Sequence, residues 1–300
     1  MKPSTATMIL TRKCVHTCEN CLIHRKSSVD LPPEKWVSIG KKLHDKWNIH
    51  INMYGGEPLC YEGFEDIIKG YSEYGINYSA NTCSRPLSKE RAVGLINLGL
   101  TNWTSSVDSF QDSRSLDGIR ALELFKVVKD LMIELVIFPG KVQNAIEVID
   151  FAIEKKYWVS VSALSYGINS NYDSFPQAKP IWTFKDIKLI KVLVDKLRNY
   201  KYNHCPNDYL DTLCTIDFLY QKESKCNGAP IVFNPDHDGS MRLCRDIAGN
   251  LVRKWGMEEA IEHYDNFCKD WVKDYESFCE CCNWGCPYFA KDREDIIKHV

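Results

Sequence analysis

Three cysteines fall close together in "TRKCVHTCENCLIH": Cys14, Cys18 and Cys21, spaced C-x3-C-x2-C. Thiolates are soft ligands suited to zinc and iron–sulfur centres, and a closed structural site commonly takes four of them. Three leave a coordination position for something else. A second set gathers late in the chain, with Cys226 and Cys244 in "CNGAPIVFNPDHDGSMRLC" and Cys279, Cys281, Cys282 and Cys286 in "FCECCNWGCPYF". On spacing alone this second set suits a four-thiolate zinc site as well as an iron–sulfur cluster.

The compartment supports ligation. No run of 18 apolar residues and no signal-type segment occurs, which predicts a cytoplasmic chain with no membrane anchor. Thiols stay reduced there, so clustering of the 14 cysteines argues for metal binding rather than disulfides. Cys60, Cys83, Cys205, Cys214 and Cys268 lie apart from the clusters and read as small buried hydrophobes. The formal net charge of −2 over 300 residues argues against nucleic acid as a partner. A hydrophobic content of 44% is ample for a large core.

The elements that must position these residues alternate. Strand patterns begin at Ala6 and cover Ile49–Tyr54, Ile76–Asn81, Asn102–Val107, Met132–Phe138 and Tyr157–Leu164. Helical periodicity covers Pro33–Trp47, Tyr61–Tyr74, Ser88–Leu98, Leu116–Asp130, Gln143–Lys156 and Phe184–Tyr200. Six βα units predict an α/β chain with a parallel sheet, either a partial (β/α)6 TIM-like barrel or a doubly wound open sheet. Near residue 205 the pattern turns polar and cysteine-rich, with a short helix from Tyr209 and an amphipathic one in "GMEEAIEHYDNFCKDWVKDY". Residues 1–204 read as the barrel and 205–300 as a smaller, metal-stapled domain.

Sites in such folds form beyond the carboxyl ends of the strands. The cysteine loop follows the first strand, and Gly55, Gly56, Glu57 and Pro58 follow the second. Asn81 ends the third, while Ser106 and Asp108 end the fourth. Each alone suits a turn or a cap, but together they face the triad. The glycines allow close backbone approach, Glu57 can accept from an ammonium group, and Pro58 holds the turn.

C-x3-C-x2-C after a first strand, followed by Gly-Gly-Glu-Pro after a second, resembles the radical S-adenosylmethionine (radical SAM) superfamily. The resemblance runs over residues 6–165, through "SANTCSRPLSKERAVGLINLGLTNWTSSVDSF" and "VIFPGKVQNAIEVIDFAIEKKYWVSV". It implies that Cys14, Cys18 and Cys21 bind three irons of a 4Fe–4S cluster and that S-adenosylmethionine chelates the fourth. It further implies that Gly55, Gly56 and Glu57 hold the methionyl amino group. Asn81, Ser106 and Asp108 are candidates for the carboxylate, ribose or adenine. Asn20 departs from the family, which commonly has an aromatic residue before the third cysteine. His16 and His24 lie near the triad without an assigned role, as covers for the cluster or as exposed loop histidines.

The late cysteines are similar to the SPASM and twitch domains that carry auxiliary clusters, in a shortened form that favours the twitch variant. That similarity implies Cys226, Cys244 and Cys286 as ligands, with Cys282 or Cys279 as the fourth. It gives one auxiliary 4Fe–4S cluster, or two if Cys268 and Cys281 are recruited. Arg242 and Arg245 flank Cys244, as cluster-tuning cations, as a site for an anionic substrate group, or as solvated surface charge.

The resemblance implies an enzyme that generates a 5′-deoxyadenosyl radical and abstracts a substrate hydrogen. Oxidation, crosslinking or epimerisation of a peptide or amino-acid-derived substrate is the leading expectation. Radical oxidation or rearrangement of a small carbohydrate-like metabolite is the alternative, and a non-enzymatic zinc or iron–sulfur scaffold the contrasting class. The expected partners are a flavodoxin- or ferredoxin-type electron donor and, because the first strand begins so early, a separate leader-peptide-binding protein.

Overall fold

The computed structural model describes residues 2–3, 5–16, 18, 21, 29–128, 130–164, 182–215, 219, 232–242 and 255–275. All six βα units fall within them. Strands β1 (Thr5–Ile9), β2 (His50–Tyr54), β3 (Tyr78–Thr82), β4 (Asn102–Ser106), β5 (Asp130–Ile137) and β6 (Trp158–Ala163) alternate with helices. These are α1 (Pro33–Trp47), α2 (Phe64–Tyr74), α3 (Lys89–Asn97), α4 (Ser113–Leu124), α5 (Val142–Lys155) and α6 (Phe184–Arg198). Then come α7 (Asn207–Leu213), β7 (Val232–Pro235), β8 (Met241–Arg242), α8 (Met257–Glu262) and α9 (Tyr264–Tyr275).

The sheet order is β6-β5-β4-β3-β2-β1-β7-β8. The seven strands from β6 to β7 run parallel, and β8 turns back antiparallel on β7. From β1 to β6 each strand is added at the same edge. A doubly wound sheet reverses that order midway. Without the reversal the helices share one face and the sheet curls into a half-barrel, the partial barrel of the two architectures considered.

Strand parity divides the two faces. Ala6, Met8, Ile51, Met53, Trp103, Ile133 and Leu135 lie fully buried on the helix side. The opposite parity in the same register carries Asn52 beside Ser79, Asn81 beside Thr104, and Ser106 beside Glu134. The outer face is therefore the core, and the inner wall is polar. Trp103 and Phe125 pack as a tilted pair with ring centroids 4.2 Å apart, a contact worth about 0.5–1.5 kcal/mol beyond area burial.

Local chemistry sets the element ends. Pro33 opens α1, and Ser88 caps α3 by accepting from the Arg91 N–H. Thr183 and Asp186 form a reciprocal capping box on α6, and Asp186 also accepts from the Gly140 N–H at 3.0 Å. Four expectations shift. Helix α4 starts earlier than Leu116 because Asp112 accepts from the Arg114 and Ser115 N–H groups. It ends earlier than Asp130 because Asp130 pairs with Asn102 as the first residue of β5. Residues Pro58–Cys60 form a 3-10 turn, so α2 begins at Phe64 rather than Tyr61. The late amphipathic helix breaks at His263 into α8 and α9.

Strand β7 has no strand pattern in the sequence. It pairs with β1 through Thr5↔Val232 and Ala6↔Phe233, so the chain beyond residue 204 contributes to the barrel sheet. Phe233 joins an aromatic cluster with Trp47 of α1 and Tyr264 of α9. Cys226, Cys244, Cys279, Cys281, Cys282 and Cys286 lie outside the described residues, as do Asn20, His24 and Arg245. Among the described residues no helix is long and apolar enough to cross a membrane.

Candidate active site

One cavity opens at the carboxyl ends of β1 to β6. Cys14, Cys18 and Cys21 line it together with Gly55, Gly56, Asn81, Ser106 and Asp108. The fold thus gathers the triad, the Gly-Gly turn and the ends of β3 and β4 around one space. Glu57 and Pro58 lie outside that lining.

The Gly-Gly turn is clamped to the cysteine loop. Gly56 N–H donates to Thr11 O and Glu57 N–H to Lys13 O, both at 2.8 Å, while Leu10 N–H donates to Tyr54 O at 2.9 Å. A Cβ on Gly55 would stand 2.6 Å from Thr11 O. One on Gly56 would stand 2.8 Å from Arg12 O and closer still to Lys13 O. The glycines are required by the backbone of residues 11–13, which passes directly against them. The two motifs are therefore one structural unit.

Glu57 braces that unit from inside. It is fully buried; Oε1 accepts from Leu59 N–H at 3.1 Å and from the Thr82 hydroxyl, and Oε2 accepts from Cys83 N–H at 2.7 Å. The carboxylate ties the turn after β2 to the end of β3. Pro58, also buried, starts the 3-10 turn that brings the Leu59 N–H into place.

The ends of β3, β4 and β5 are cross-linked similarly. Ser106 Oγ donates to Asn81 Oδ1 at 3.3 Å. Asp108 Oδ1 accepts from Val136 N–H at 2.7 Å, and its Oδ2 is ion-paired with Arg114. Asp108 therefore links β4, β5 and the first turn of α4, and it presents Arg114 to the cavity.

The three thiols share an electrostatic environment. Burial pushes the Cys18 thiol above its ordinary range, with Cys21 and Cys14 adding to the effect and Arg114 opposing it. Cys14 Sγ accepts from the His16 N–H at 3.4 Å. Three sulfurs gathered around one cavity are a donor set for a cationic occupant, and the number and type fit three irons of a cluster with one iron open.

Other lining residues have no motif behind them. Glu134, Val136 and Ser162 come from β5 and β6, and His16, Cys83 and Arg114 also line the wall, as do Tyr54 and Thr82 at the ends of β2 and β3. The signal for the first three is parity: they continue the inner-face alternation in register with Ser106. Cys83 behaves as the buried cysteine expected, its thiol pushed far up by burial and by Glu57. Cys205 and Cys268 are likewise buried, with thiols raised to about 11 and about 12, chiefly by burial. Cys60 and Cys214 are only partly buried. Elsewhere Asp236, His237 and Asp238 cluster at the β7–β8 turn. Arg12 bonds to the first two, so the charge that a cation would bring there is already supplied.

The half-barrel is similar to solved structures. SuiB of Streptococcus suis bound to its precursor peptide SuiA aligns with TM-score 0.68 and 17% identity over 87% of this chain, which spans 64% of SuiB. Native anSMEcpe with bound AdoMet aligns with TM-score 0.65 and 16% identity over 99% of this chain and 96% of its own. BtrN in complex with AdoMet and 2-DOIA aligns with TM-score 0.51 and 15% identity over 95% of both chains. At these identities the likeness is one of fold. No curated protein matches the sequence significantly. Residues 8–178, more than half of the chain and the span that holds every lining residue of the cavity, match the Radical SAM superfamily, and the protein belongs to that superfamily.

Proposed function

We propose that the cavity holds a 4Fe–4S cluster on Cys14, Cys18 and Cys21, with S-adenosylmethionine on the open iron, and that the enzyme modifies a peptide or amino-acid-derived substrate. Family membership implies the cluster, the cofactor and a radical reaction. Together the cluster and cofactor supply one electron and a source of 5′-deoxyadenosyl radical. The chain's own residues position and enclose them. The carrying observation is the clamp between the Gly-Gly turn and the cysteine loop, which sets one motif against the other to within a hydrogen bond.

Because the Glu57 oxygens are engaged inside the protein, a methionyl ammonium at this turn would meet the main-chain carbonyls of Gly55 and Gly56. Asn81, Ser106 and Arg114 remain for the carboxylate and ribose. The peptide reading draws on SuiB bound to precursor peptide SuiA and on anSMEcpe bound to AdoMet and a Cp18Cys peptide. Oxidation, crosslinking or epimerisation would be its outcome. The region 205–300 would form a twitch-type domain with an auxiliary 4Fe–4S cluster on Cys226, Cys244, Cys286 and either Cys282 or Cys279. A flavodoxin or ferredoxin would supply electrons, and a separate protein would present a leader peptide.

Anaerobically reconstituted, dithionite-reduced protein should release 5′-deoxyadenosine, and Cys18→Ala should abolish the release. A mass change in a candidate peptide would support the substrate class. A mass change only in an aminosugar-like metabolite would transfer the reading to small carbohydrates. No release from protein with an intact cluster and either substrate would overturn the enzyme reading. About eight irons per chain would support one auxiliary cluster, about twelve would support two, and stoichiometric zinc would replace the auxiliary reading.

A further inference from the structure

One polar atom at the cavity has no use within the described residues. His16 stands between Cys14 and Cys18, lines the cavity, and is 8% exposed. Its Nε2 is shut off from solvent and has no hydrogen-bond partner among the described residues. The other ring nitrogen, Nδ1, lies 3.5 Å from Nη1 of Arg85. A guanidinium only donates, so Nδ1 accepts, and a neutral ring then carries its proton on Nε2. The buried side of the ring therefore offers an N–H rather than a lone pair. A buried donor left unmade keeps its full desolvation penalty, so an acceptor among the contents of the cavity is called for.

The loop geometry favours sulfur as that acceptor. The main-chain N–H of the same residue already donates to Cys14 Sγ at 3.4 Å. Arg85, which fixes the ring, is itself ion-paired to Asp117 of α4 at 3.8 Å. The ring is thus steadied at Nδ1 by a paired cation, while the main-chain N–H of the same residue meets a sulfur of the triad.

We propose that His16 donates a hydrogen bond through Nε2–H to a sulfur of the cluster on Cys14, Cys18 and Cys21, with Arg85 fixing the tautomer. The inference rests on the cluster reading above. A donor aimed at cluster sulfur stabilises the reduced, more negative state and so raises the reduction potential. His16 is in this sense a positioning residue for charge on the cluster.

The test is an EPR-monitored redox titration of the anaerobically reconstituted full chain as wild type, His16→Phe and His16→Gln. The combined variant Cys14→Ala/Cys18→Ala/Cys21→Ala gives the signal of any other cluster for subtraction. His16→Phe should lower the reduced-to-oxidised ratio at the wild-type midpoint at least tenfold, about 59 mV for a one-electron couple. His16→Gln, whose amide keeps an N–H, should recover part of it. Pulsed EPR of 15N-histidine protein should show a nitrogen coupling to this cluster, which keeps the test decisive if His16→Phe loses the cluster. Equal potentials in the three proteins, or no nitrogen coupling, overturn the proposal. So does a changed affinity for S-adenosylmethionine at unchanged potential, which assigns the donor to the cofactor. If the triple-alanine variant keeps all of the wild-type iron and sulfide, the cluster reading itself fails and takes this inference with it.

Discussion

Arg12 Nη2 stands 2.7 Å from Asp236 Oδ2 although 224 residues separate them in the chain. Both side chains are buried, and Arg12 Nε also lies 3.0 Å from His237 Nδ1. The pair fastens the start of the cysteine loop to the β7–β8 turn. Removing one partner of a buried pair leaves the other charge uncompensated, at about 3–5 kcal/mol. Asp236→Ala should cost that much in urea unfolding. The double variant Arg12→Met/Asp236→Leu should cost clearly less than the two single changes summed. Additive losses would show that the two residues act independently.

Glu57→Gln separates bracing from ligand contact. An amide presents one acceptor oxygen and one NH2, so it cannot accept from Leu59 N–H, Thr82 Oγ and Cys83 N–H on both sides at once. The cofactor-free protein should lose about 1–3 kcal/mol of unfolding free energy. Unchanged stability of the cofactor-free chain would contradict the bracing role.

Gly56→Ala and Gly94→Ala should move stability in opposite directions. At Gly56 the new methyl meets the carbonyls of Arg12 and Lys13, so about 1–3 kcal/mol is lost, and on the proposed reading the bound iron falls with it. At Gly94, exposed within α3, nothing lies within 4 Å, so alanine should add about 0.5–1 kcal/mol through helix propensity and lower unfolded-state entropy. Thermal unfolding and iron analysis of the two variants check both signs.

His50 predicts an acid-side loss of stability. Burial lowers its pKa from the ordinary 6.5, the neighbouring imidazole of His204 adds to this, and a hydrogen bond with Asn77 opposes it. As pH falls the unfolded chain binds the proton more readily than the folded one. The stability is therefore fully present above about 6.5 and is lost as pH falls through the lower folded value. Urea midpoints should drop between pH 7 and pH 5, and His50→Gln should flatten that slope. Identical pH profiles for the two proteins would rule His50 out as the source.

The cysteine triad and the Gly-Gly turn are legible in the sequence because each is local in spacing. The strand–helix alternation places both at one rim. Glu134, Ser162 and Arg114 are not legible in that way, since their places depend on register carried across β4, β5 and β6. The inward turn of Glu57 depends on N–H groups from the 3-10 turn and from the end of β3, which no motif announces. Strand β7 is four residues long and too short to show a period, and its role becomes visible only when Val232 lies beside Thr5.

That pairing has a consequence for how the protein is made. Strand β1 gains one neighbour once His50–Tyr54 is available, but its other edge stays open until Val232 and Phe233 leave the ribosome. Throughout most of synthesis the strand that launches the cysteine loop is thus an unpaired sheet edge, with the late contact closing a loop of very long sequence separation. A nascent chain that ends before Val232 therefore carries β1 with one open edge, a template for misassociation until the late pairing closes it.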